Sequence, residues 1–238
     1  MNSELRDILF IDIETVAATD TYQSLHERLK VQWSRKAGFL RRDEGMTDED
    51  LFHHRAGIYA EFGKIICIVI GKLYENEAGE LSIKTKALFD HDEAALLREF
   101  KVILDKMDSA NARLCAHNGK EFDFPYLCRR MIINNECIPD LLSISGKRPW
   151  EVNHLDTMEL WRFGDYKSFT SLNLLAHALN IPTSKDDIDG SMVGMVYWKE
   201  KNLERIVHYC QKDVVTMAQI FLRLNREPLV SENNIEIK

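Results

Sequence analysis

No apolar run in this sequence is long enough to cross a bilayer. The longest clean one, Ile65 to Ile70, falls far short of the ~20 residues a spanning helix needs. A signal-peptide pattern is missing as well, because Asp12 and Glu14 interrupt the only apolar run near the N-terminus. There is no framework for disulfides or zinc. The five cysteines, Cys67, Cys115, Cys128, Cys137 and Cys210, are odd in number, scattered, and form no C-x-x-C pair. They read as small buried apolar residues of a reduced protein, and the expected location is the cytoplasm. An excess of positive charge is also lacking. A net charge of −7 disfavours a protein that coats nucleic acid, where phosphate contacts dominate affinity. It still permits an enzyme that grips a few nucleotides at one end, with metal-dependent and salt-sensitive binding. Repeats and low-complexity blocks are absent.

What remains is a globular chain. Its 238 residues, 45% of them apolar, can bury a sizeable core. The most informative stretch is Ile8-Leu9-Phe10-Ile11-Asp12-Ile13-Glu14-Thr15. The apolar, β-branched run predicts a strand buried on both faces. Asp12 and Glu14 then fall at i and i+2, so both point to one side. Two like charges side by side on a buried strand repel and are poorly solvated. Either the strand end has reached water, or a divalent cation sits between the carboxylates.

The segment after Thr15, residues 17–62, is too long for a plain loop. It predicts an insertion with helices near 22–37 and 47–59, the second opened by Thr47 with acids in its first turn. Between Arg28 and Arg42 lie six basic residues and no acid, with Trp33 and Phe39 among them. Such a segment either grips single-stranded nucleic acid or forms a solvated helix face packed by its aromatics. Residues 64–71 predict a second buried strand and 81–88 a third, joined by a turn containing Asn76 and Gly79. Asp90 or Asp92 caps a helix running to about 107, whose acids are expected to cap rather than react. A fourth strand covers 113–117. The next helix starts with Pro125 in its first turn and ends near 134, which places Asp123, taken alone, like an N-cap. A fifth strand spans 152–156. There Asp156 is either an outer acid of a site or the cap of the next helix. Residues 171–180 form a short helix stopped by Pro182. The acidic loop from Lys185 to Ser191 is no EF-hand, because the twelfth position from Asp187 is Trp198. A long helix covers about 199–224, and the polar tail 227–238 is expected to fray. Overall this is an α/β chain. It has a mixed five-stranded sheet flanked by helices, a helical insertion after the first strand, and a single domain over 1–226.

The last long helix carries Tyr209 and Asp213, four apart and on one face. Asp213 lies in a row between Ile206 and Ile220, so it is either a boundary residue facing water or a buried acid in need of a partner.

Asp12-x-Glu14, Asn118-Gly119-x-x-Phe122-Asp123-x-Pro125 and Tyr209-x-x-x-Asp213, in that order, resemble the three motifs of the DEDD superfamily of 3′–5′ exonucleases. More narrowly, the chain is similar to stand-alone bacterial exonucleases related to the proofreading domain of family B DNA polymerases. The segments Glu61-Phe62-Gly63-Lys64-Ile65, Lys185 to Ser191 and Tyr209-Cys210-x-x-Asp213-Val214 bear that closer likeness, and the resemblance runs from about residue 8 to 224. His208 and Asp213 also match the histidine branch. On a helix already formed at Leu203, however, His208 is turned about 140° from Asp213 and Tyr209 only about 40°. That favours the tyrosine branch.

The resemblance implies a ribonuclease H-like fold and an enzyme that trims the 3′ end of single-stranded DNA to nucleoside 5′-monophosphates. It implies two Mg²⁺ or Mn²⁺ ions per active site, held by Asp12, Glu14, Asp123 and Asp213, with Tyr209 orienting the attacking water. Thr15, Asn118, Phe122 and Lys185 are candidates for substrate contact. RNA in place of DNA is the nearest alternative, and a non-catalytic module on the same fold a further one. No membrane partner is expected.

Overall fold

The computed structural model describes residues 3–107, 111–182 and 188–238. A one-turn helix, α1 (Ser3–Arg6), leads into β1 (Ile8–Ala17). The expected burial of this strand is met: Ile8, Leu9, Phe10, Ile11 and Ile13 are all in the core. Each such side chain contributes about 1.5–3 kcal/mol on leaving water. The chain then forms α2 (Glu27–Ala37) and α3 (Asp48–Arg55), followed by the hairpin β2 (Gly63–Glu75) and β3 (Leu81–Phe89). Helix α4 (Glu93–Leu104), β4 (Arg113–Ala116), α5 (Asp123–Ile133), β5 (Leu155–Asp156), α6 (Thr157–Arg162) and α7 (Leu172–Ala178) come next. A short turn of helix, α8 (Val193–Met195), precedes the long α9 (Leu203–Leu224), and β6 (Ile235–Ile237) closes the chain.

The sheet order is β5-β4-β1-β2-β3-β6. The β1–β2 and β2–β3 pairs are antiparallel, while β1–β4, β4–β5 and β3–β6 are parallel. Helix α9 lies across β1, β2 and β3, and α4 and α5 pack on the opposite face. The even residues of β1 face α9. Phe10 meets Phe221 edge-on at 5.6 Å between ring centroids, and Asp12 reaches Cys210.

Three expectations are corrected. The sheet has six strands rather than five, because the tail does not fray. Ile235 and Ile237 alternate with Glu236 and pair with the open edge of β3, and Gln211 Nε2 holds the Lys238 carbonyl at 2.7 Å. Helix α9 starts at Leu203 rather than near 199, because Lys201 is left-handed (φ 55°) and Asn202 caps the helix through Arg205 N. The fifth strand shrinks to two residues, since β4 offers it only Cys115 and Ala116.

The insertion has its own small core. Trp33 is fully buried against Phe52 and Phe62 and donates its indole N–H to the Asp48 carbonyl at 2.7 Å. Trp33 is therefore a packing residue, with no face left for a base, whereas Phe39 is 90% exposed. Thr47 closes a capping box with Asp50, as its place before an acidic first turn suggested. Among the described residues no helix is long and apolar enough to cross a membrane.

Candidate active site

Asp12 and Glu14 stand near the C-terminal end of β1, on the face covered by α9. The register between β1 and β2 shifts between Glu14 and Thr15, a bulge that re-aims side chains locally. Thr15 turns away from the acids and donates its hydroxyl to the Gly57 carbonyl of the insertion at 2.8 Å.

Strand β4 stops at Ala116, short of Ile13, so the Ile13 N–H has no partner there. Asp123 takes it, accepting from Ile13 N at 3.3 Å. Asp123 is thus the first residue of α5 and not its cap, which is Phe122 without a side-chain bond. The chain gets from β4 to α5 through a tight loop. Asn118 is left-handed (φ 65°). Gly119 must be glycine, since a Cβ there would lie 2.2 Å from the Ala116 Cβ and 3.4 Å from Asp123 Oδ2. Asp156 fastens this loop, accepting from the Asn118 and Lys120 backbone N–H groups at 3.0 and 3.1 Å. It also caps α6 through Met158 N and Glu159 N. Of the two roles weighed for it in the sequence, the helix cap is observed, and the charge of Asp156 also bears on Asp123. Phe122 is half-buried, its ring 5.3 Å from that of Tyr126.

Helix α9 supplies the third wall. Tyr209 hydrogen-bonds Asp213 and feels Glu14 and Asp12, and the charge of Asp213 bears on Asp12 and Glu14. His208 is exposed on another face of the helix. Four acids from three distant segments thus sense one another, with Tyr209 among them. Lys185 lies outside the described residues.

Burial is the first cause that pushes Asp12 and Glu14 well above the usual carboxylate range. Repulsion from Asp123 and Asp213 adds to it for Asp12, and from Asp12 and Asp213 for Glu14. Burial also lifts Asp123 to about 7. Tyr209 is raised by burial and then by the charges of Asp213 and Glu14, so its phenol stays protonated and donates to Asp213. The leading influences on Asp12, Glu14 and Asp123 are burial, neighbouring acids and hydrogen bonds, with no lysine, arginine or histidine of the described residues among them.

One contributor was not anticipated. Cys210, read from the sequence as core, donates its thiol to Asp12 Oδ2 at 3.2 Å. Its sulfur and one oxygen each of Asp12 and Glu14 lie within 4.8 Å of one another. Burial, the bond to Cys67 and the Asp12 charge all hold the Cys210 thiol protonated. It is therefore a neutral donor rather than a thiolate ligand. Its place three residues before Asp213, on the same helical face, was the available signal.

This donor set fits divalent cations. Buried carboxylates that repel one another are relieved by positive charge, and Mg²⁺ or Mn²⁺ prefers such oxygens.

No curated protein sequence matches the chain. Among solved structures, the family B DNA polymerase of the hyperthermophilic archaeon Pyrobaculum calidifontis superposes with a TM-score of 0.53 and 14% identity. The match covers 90% of this chain and 24% of the polymerase, so the chain spans about a quarter of that relative's length. The RNase domain of the yeast Pop2 protein aligns at 13% identity over 97% of this chain and 81% of that one, with a TM-score of 0.37. A family model matches residues 58–232, a stretch that holds Asp123, Tyr209 and Asp213 and begins after Asp12 and Glu14. By that match the chain belongs to the family of predicted 3′–5′ exonucleases related to the exonuclease domain of PolB.

Proposed function

We propose that this protein is a metal-dependent 3′–5′ exonuclease that acts on single-stranded DNA and releases nucleoside 5′-monophosphates, in the manner of the tyrosine branch of the DEDD superfamily. The observation that supports it most is the convergence of Asp12, Glu14, Asp123 and Asp213, where burial and neighbouring acids, and no cation among the described residues, lead the influences on Asp12, Glu14 and Asp123.

Asp12, Glu14, Asp123 and Asp213 would hold two Mg²⁺ or Mn²⁺ ions. Bound there, the ions would acidify a water and stabilise charge on the attacking and leaving oxygens. Asp12, whose carboxylate feels both Asp123 and Asp213, would be among the ligands. Glu14 and Asp213 would serve the side of the attacking water, and Asp123 the side of the leaving 3′-oxygen. Tyr209 is a hydrogen-bond donor at all ordinary pH values, so its task is to orient the water rather than deprotonate it. Cys210 steadies Asp12 through its thiol hydrogen bond. Asn118 and Phe122, on the loop that delivers Asp123, would border the terminal nucleotide.

The test is incubation of the full chain with a 5′-labelled single strand and Mn²⁺, beside Asp12→Ala and beside a matched RNA strand. A ladder shortening from the 3′ end, in the wild type alone and faster on DNA, is the expected result. Internal cuts, or equal activity in Asp12→Ala, would end this reading.

A further inference from the structure

We propose that the loop at 163–170 is a stacking platform for the bases of a single strand whose 3′ end lies at the acid cluster. The proposal rests on the exonuclease reading and names a surface that the reading does not use.

Phe163, Tyr166 and Phe169 are 88, 80 and 68% exposed. Single exposed rings are ordinary, but three on one short loop form an apolar surface that water solvates poorly. The loop is firmly held, so it presents the rings by construction. Arg162 Nε donates to the Ser168 carbonyl at 2.9 Å, and Asp165 N to the Arg162 carbonyl at 2.8 Å. Phe163 sits in the left-handed region (φ 46°), where a bulky residue is rare.

Two bonds fix the platform to the candidate site. His117 donates Nε2–H to the Thr170 carbonyl at 2.9 Å and accepts from the Thr157 hydroxyl at 2.8 Å. His117 immediately precedes Asn118, on the loop that delivers Asp123. Arg162 also reaches Glu121 of that loop at 3.5 Å. A cleft of about 400 Å³ is lined by Tyr166 together with Asn118, Phe124 and Lys147. Next along the chain from Lys147, Arg148 lies over the exposed ring of Trp150, 5.5 Å from its centroid.

The occupant must be continuous with the acid cluster, offer flat apolar faces and tolerate few cations. Lys120 and Arg162 are already paired with Glu159 and Glu121, which leaves Lys147, Arg148 and Lys167 for phosphates. Unpaired nucleobases meet all three conditions, since every base has a face to stack. A duplex hides those faces.

The test measures binding without cleavage. The full chain carrying Asp12→Ala is titrated into a fluorescent single-stranded oligonucleotide of about a dozen nucleotides, and into an abasic strand of the same length. The base-bearing strand should bind about tenfold tighter or more. Adding Phe163→Asn, which tolerates the left-handed backbone, with Tyr166→Ala and Phe169→Ala should erase that preference to within about twofold. Tyr166→Leu keeps the apolar bulk and should still weaken binding, whereas Tyr166→Phe should not. A preference that survives the triple substitution, or that the parent lacks, overturns the proposal. So does unchanged binding together with a shift in oligomeric state, which would mark the loop as a contact for a second copy. An absent 3′-shortening ladder would instead strike the exonuclease reading, which this titration does not depend on.

Discussion

Asp12 is the residue on which the acid cluster converges. It feels Asp123 and Asp213 and accepts a bond from Cys210. Asp12→Ala should lower 3′-end cleavage by roughly a thousandfold. In a chelator it should melt no lower than wild type, because it removes a buried charge that repels its neighbours. Tyr209→Phe should cost roughly a hundredfold in kcat, and His208→Ala should leave the rate within about twofold, since His208 is exposed and turned away. The reverse result, with His208→Ala dead and Tyr209→Phe active, would assign the chain to the histidine branch. Asp123 gives a pH test. Its folded value near 7 lies above the ordinary 3.8, so between those values the folded state binds more protons and stability falls as pH rises. Without metal, Asp123→Asn should therefore melt above wild type at pH 8, and the gap should close as pH falls toward about 4. Calorimetry in a chelator checks both the sign and the window.

At the scale of elements, the strands and long helices were legible because their apolar periods were regular. The β1–β2–β3 succession, the Asn76–Gly79 turn and the Thr47 cap all formed as read. What failed depended on a neighbour. Asp123 looked like a helix cap until β1 offered it the Ile13 N–H. Glu93, in the first turn of α4, is buried and does not cap: it accepts from Arg130, Asn134 and Ile65 N. Through Arg130 it joins α4 to α5, and Arg130 Nη1 continues to the Ala60 carbonyl at 2.7 Å. This bridge stands behind the helix that delivers Asp123. Glu93→Ala would strand a buried guanidinium, and urea denaturation should show a loss of about 3–5 kcal/mol. Replacing both partners with apolar residues of similar size should recover much of it.

At the scale of the molecule, the sheet brings distant segments of the chain to one place. Strand β1 sits at its centre, α9 crosses the face that bears Asp12 and Glu14, and the β4–α5 loop closes the end of the strand. The assembled acids lower stability when no cation is present. Mn²⁺ at about a hundred times its Kd should add about 2.7 kcal/mol, which raises Tm by roughly 5–10 °C for a chain of this size. Differential scanning fluorimetry with and without chelator reads this directly, and Asp12→Ala should lose most of the shift. A flat response in wild type would remove the metal from the proposal.

The sequence by itself determined the order of the main strands and helices and the core face of each, while the four acids and Tyr209 were singled out by the likeness of three short motifs to a known family. The elements depend on local spacing, which the chain carries wherever it folds. Only the tertiary structure decided that Cys210 supports Asp12, that Asp156 clamps the Asn118 loop, that Trp33 packs rather than stacks, and that the last residues complete the sheet. Each of these turns on a partner distant along the chain, and neither periodicity nor spacing encodes which distant group will need a hydrogen bond.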